Sequence, residues 1–146
     1  MSLDHDFLLV DRDADGDGDL SRFINDPRSL HLHDDIIRYM YDTLLWIPCY
    51  NPSRRESCMG FNMWGETILE QPGALIAHHI FLSWANLFAM GPTEIELQGN
   101  FDLDRERYQR FTLHRDECNA TLRELAEYAL KIHHAQGKLF LYHFGV

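Results

Sequence analysis

A length of 146 residues, 45% of them apolar and 25% charged, fits one folded domain and excludes global disorder. The formal charge of -10 argues against a nucleic-acid partner, because neutralising phosphates requires clustered Lys and Arg. Three cysteines without a C-x-x-C spacing fit reduced thiols, and no signal-peptide run follows Met1, so a cytoplasmic protein is expected.

The charge is unevenly placed. Residues 1–35 hold ten Asp and three Arg, or -7 of the total, and residues 1–28 read as an acidic N-terminal arm ahead of a single α+β domain over 29–146. Within that arm the aspartates alternate as Asp11, Asp13, Asp15, Asp17 and Asp19, with Gly16 and Gly18 between them. A D-x-D-x-D-G run lets carboxylates converge on one hard cation, so these five residues are the candidate Ca2+ ligands. In the register Asp13, Asp15, Asp17, Gly18, the stretch resembles the front half of an EF-hand loop. Ile24 stands where that family carries its bidentate Glu. Phe7-Leu8-Leu9-Val10 followed by Asp11-x-Asp13 also resembles the nucleophile strand of haloacid-dehalogenase-type phosphatases. That resemblance implies a nucleophilic Asp11 and a proton-handling Asp13, on a doubly wound fold for which the remaining chain lacks the strand–helix rhythm.

Further along, Leu30, Leu32, Ile36, Ile37, Met40, Leu44 and Ile47 recur at near-helical spacing and predict a helix within 29–47, closed by Pro48. Residues 51–56 are a polar loop, and residues 58–69 read as extended structure bent near Gly60 or Gly65. Residues 72–90 form the most apolar run and the predicted central helix, begun by Pro72 and stopped by Gly91-Pro92. Its apolar residues cover more than half of the circumference, leaving His79, Ser83 and Asn86 on a narrow strip. Such a helix must be covered on more than one side. The alternation of Ile95, Leu97, Gly99 and Phe101 predicts a strand with one wet face, paired with residues 108–113. A helix over about 116–135 and a final strand over 138–144, apolar on both faces, complete the chain. The expectation is an α+β domain with a mainly antiparallel sheet of four to five strands, packed by the central and C-terminal helices.

Nine histidines raise a metal or catalytic site. His31-Leu32-His33 can chelate from an extended segment, whereas the adjacent pairs His78-His79 and His133-His134 diverge by about 100° on a helix and cannot share one ion. Cys58, His79 and His143 are the candidates for a site assembled across the fold, as a small hydrolase would need. No G-x-S-x-G, P-loop or G-x-G-x-x-G occurs. Trp46, Tyr50, Trp64 and Tyr108 are candidate interface anchors, since interfaces favour Trp and Tyr. The leading expectation is a small acidic protein that works by protein contact, with a basic partner, by analogy of size and charge with toxin immunity proteins. A Ca2+-binding domain and a small hydrolase are the alternatives.

Overall fold

The structure, a computed structural model, describes residues 3–15 and 26–146. The chain runs β1 (Asp4–Asp11), α1 (Arg12–Asp15), β2 (Leu30–His33), α2 (Asp34–Leu44), β3 (Pro48–Asn51), β4 (Glu56–Met59), β5 (Glu66–Leu69), α3 (Gln71–Ala89), β6 (Glu94–Asp102), β7 (Arg107–His114), α4 (Arg115–His134) and β8 (Leu139–Phe144). This is the α+β class expected, with a larger sheet. Six strands pair in the order β2-β1-β8-β5-β3-β4, and β6 and β7 form a separate two-stranded ribbon. Every pairing among the described residues is antiparallel.

The centre of the sheet is β1 against β8, with Leu8 opposite Tyr142 and Val10 opposite Phe140. Both strands are apolar on two faces, as interior strands require. One face carries Phe7, Leu9 and Leu141 into the main core with the helices; the other carries Leu8, Val10, Phe140 and Tyr142 into a smaller cluster. A boundary drawn at residue 28 therefore does not divide the molecule, because β1 lies inside the sheet built by later strands. Four consecutive apolar residues were the sign of it. The helix expected across 29–47 is shorter, because Leu30–His33 pairs with β1 and α2 begins only at Asp34.

Helix α3 faces the sheet and α4 with Ala74, Ala77, Phe81, Ala85 and Phe88, all buried. Its small residues permit close approach. A Cβ on Gly73 would lie 2.0 Å from the Pro48 carbonyl oxygen, so only glycine fits where α3 crosses β3. Against α4, His78 Nδ1 donates to the Ala126 carbonyl at 2.7 Å, and Arg123 reaches Asn86 Oδ1 at 2.9 Å. The helix is covered by α4, α2 and β3, and its remaining side, with Ile76, Leu87 and, just beyond its end, Met90, lies in water. The ribbon likewise packs only at its base. Ile95, Leu97 and Leu113 are buried, whereas a bulge between Gln98 and Phe101 precedes an exposed tip with Phe101, Leu103 and Tyr108. Among the described residues no helix is long and apolar enough to cross a membrane.

Candidate functional site

The β2–α2 corner combines a buried polar chain with an open groove. Beneath the corner, Arg38 Nε donates to Asp34 Oδ2 at 2.5 Å, and His5 Nε2 donates to Asp34 Oδ1 at 2.9 Å. His5 Nδ1 in turn lies 2.8 Å from His143 Nε2. The network fixes the tautomers. A carboxylate only accepts, so His5 Nε2 carries a proton; with one proton on the His5 ring, Nδ1 presents a lone pair to which His143 Nε2–H donates. His143 Nδ1 is then a bare acceptor, and it has no partner among the described residues. It lies among rings, with Phe7, Phe61 and His5 at centroid distances of 4.9, 5.0 and 5.1 Å.

Burial, and secondarily His5, hold His143 well below the ordinary histidine range, so the ring is neutral. Burial pushes Asp34 the opposite way, but hydrogen bonds from His5 and Arg38 outweigh it and keep the carboxylate ionised. Asp34 is also the first residue of α2, where negative charge meets the positive end of the helix. Sequence reading places His143 in a candidate site but misses His5 and Asp34. The signal that could have found them is His5 beside an apolar run, which makes it an inward position of a strand.

Above this chain, the outer side of β2 borders a groove of about 450 Å³. Its walls include Asp4, His31, His33 and Asp35 on one side and His114 and Glu117 on the other, with Phe111 and Leu113 at the base of the ribbon. Across β1 and β2, Asp6 pairs with His31, and His33 Nδ1 accepts from the Asp35 backbone N–H at 3.1 Å to cap α2. Asp34 N–H donates to the Leu3 carbonyl at 2.8 Å, and the register places His5 opposite Leu32 and Phe7 opposite Leu30. Antiparallel bonding alternates, so the backbone groups of His31 and His33 turn outward from β1. The groove thus has an open strand edge along one wall. Three carboxylates line it, and among the described residues no Lys or Arg does.

The other candidates are scattered. His79 is exposed on α3, His143 is sealed in the sheet, and Cys58 lies half-buried on β4, so the three do not share a cleft. Burial raises the thiol of Cys58, pushes Cys49 up to about 12 and pushes Cys118 up to about 11, which keeps all three protonated at neutral pH. In the acidic run, Asp11 Oδ1 accepts from the backbone of Asp13 at 2.9 Å, and Asp15 accepts from Asp11 N–H at 3.0 Å and from Arg28 at 3.2 Å. Those bonds, first the backbone and then Arg28, hold Asp15 below the usual carboxylate range. Asp17 and Asp19 lie outside the described residues. No group of three His, Cys, Asp or Glu side chains is arranged to hold a metal among the described residues. Trp46, Trp64 and Tyr108 are exposed, at 63%, 74% and 50%, and Tyr50 is half-buried. Trp46 follows α2, Tyr50 is on β3, Trp64 lies between β4 and β5, and Tyr108 is on β7. No protein-family model matches this chain, and neither a curated protein nor a solved structure matches it.

Proposed function

We propose that this protein is a binding module that takes an extended, basic segment of a protein partner in the groove beside β2. The observation that carries the reading is the groove's composition: Asp35 and Glu117 beside an outward-facing strand edge, with histidines but no Lys or Arg among the described residues that line it, and with His33 3.5 Å from Asp35. An extended peptide can add to such an edge through its main chain, while its Lys or Arg side chains meet the carboxylates. The overall charge of -10 would steer a basic partner toward the molecule, as in a neutraliser of the immunity type. The Arg38–Asp34–His5–His143 chain supports the site from below by fixing the corner from which His33 and Asp35 project.

The test is a calorimetric titration with a ten-residue peptide of alternating Lys and Val, at two salt concentrations. Binding is expected, with affinity falling as salt rises. Asp35→Asn combined with Glu117→Gln should weaken it at least about tenfold. His31→Pro removes the outward N–H together with the side chain that pairs with Asp6, so it is read against His31→Ala, which loses the same pair but keeps the N–H: the proline should abolish strand addition and the alanine should not. Absence of binding, or affinity indifferent to both salt and these variants, would sink the reading.

A further inference from the structure

We infer that the outer face of α3 is the contact surface for a second copy of this chain. Ile76, Ile80, Ser83, Leu87 and Met90 fall within about 100° of the helix circumference, opposite the buried stripe of Ala74, Ala77, Phe81, Ala85 and Phe88. Trp46, from the turn after α2, lies alongside them and closes a groove of about 270 Å³ with Thr43, Ile80, Trp84 and Leu87. Trp46, Leu87 and Met90 are 63%, 56% and 84% exposed. A single copy leaves this stripe in water.

Three observations select a second copy as its occupant. From Gln71 to Met90 the sequence contains no Asp, Glu, Lys or Arg. Two chains that each carry -10 repel one another, so a copy can approach only through a neutral face, whereas a charged foreign partner would gain nothing there. The exposed apolar area is the second: the stripe with Trp46 offers on the order of 600 Å² against about 800 Å² per partner in a standard interface. The pattern itself is the third. Ile76 and Met90 lie seven residues either side of Ser83, and Ile80 and Leu87 lie three and four residues from it. A two-fold axis through Ser83 would therefore set antiparallel helices with Ile76 of one copy against Met90 of the other and Ile80 beside Leu87. The small Ser83 lets them cross closely at the axis, and self-complementarity of this kind is what a two-fold interface requires.

The surface is separate from the β2 groove, so its test is independent of the groove reading. Sedimentation equilibrium of the whole chain from 1 to 500 µM should show a reversible dimer of the 17.2 kDa chain. Leu87→Lys and Met90→Glu alter exposed positions, and each should weaken dimerisation at least about 100-fold with unchanged circular dichroism. In a Cys58→Ser background, Ser83→Cys should form an oxidised covalent dimer and Asn86→Cys should not. A monomer throughout the range overturns the inference, including one that captures only foreign helices. So does a dimer that survives Leu87→Lys and Met90→Glu, or one in which Ser83→Cys fails to cross-link.

Discussion

His5 and His143, 138 positions apart, share a 2.8 Å hydrogen bond in a place where both rings have no exposed surface. The bond has a direction because Asp34 sets the tautomer of His5. The result is a neutral histidine packed among Phe7, Phe61 and His5, with no partner for its Nδ1 among the described residues, and its protonation has a thermodynamic consequence.

Above about pH 6.5, His143 is neutral in the folded and the unfolded chain. Below it, the unfolded chain takes up a proton that the folded chain refuses, because burial depresses the folded value. Stability is therefore full above pH 6.5 and is lost as pH falls toward the depressed value, by up to about 1.4 kcal/mol per pH unit. Asp34 is depressed too, but its contribution stays intact until pH falls below the ordinary carboxylate value of 3.8. Between about pH 6.5 and 4.5 the difference between the native chain and a His143 variant therefore isolates the contribution of His143 from those of the other histidines. Urea midpoints between pH 7.5 and 4.5 should fall for the native chain and flatten in His143→Gln, which keeps an N–H for His5. Equal slopes in the two proteins would contradict the assignment.

Asp34 balances two donors at once. Asp34→Ala should cost about 3 kcal/mol, since it strands the His5 N–H in the interior and frees Arg38. Arg38→Ala should cost about 1 kcal/mol, because its side chain is 47% exposed and water replaces it. Chemical denaturation of the two variants checks the ordering.

Two glycines separate steric from conformational demands. Gly73→Ala pushes a methyl group to 2.0 Å from the Pro48 carbonyl oxygen and should cost more than about 2 kcal/mol, or prevent folding. Gly137 ends α4 at a φ of +88° with open space around it, so Gly137→Ala should cost only about 1 kcal/mol of backbone strain. Thermal unfolding of both variants reads the difference.

The three thiols should react in the order of their exposure. Cys49 and Cys58 face each other across β3 and β4, yet only Cys58 is half-open to solvent. Iodoacetamide at pH 7.5, followed by mass spectrometry, should label Cys58 first and slowly, and Cys49 and Cys118 only on unfolding. Rapid labelling of Cys58 would reveal a thiolate and revive the hydrolase reading.

The fold was legible where periodicity was strong. Residues 71–89 and 115–134 form the two long helices that their apolar spacing predicts, and the two-faced apolar pattern of residues 139–144 correctly marks an interior strand. The N-terminal strand was harder to read because four apolar residues stand between acidic neighbours, and short runs carry no period of their own. Leu30-His31-Leu32-His33 fits both helical and alternating spacing, and only its partner β1 decides between them. The site was less legible still. His5, Asp34 and His143 are brought together by strand register, which no local pattern encodes, and the groove depends on where β7 and α4 come to rest beside β2.

The pairing of β1 with β8 also bears on how the chain folds. Asp6 meets Phe144 only after almost everything between them has been synthesised, so the middle of the sheet is the last part able to close. Helices α3 and α4 can dock on each other earlier, leaving the apolar edges of β5 and β1 waiting for the same late strand. Folding on a scale of milliseconds to seconds is the expected result, with a partly assembled chain prone to capture by neighbours through its unpaired edges.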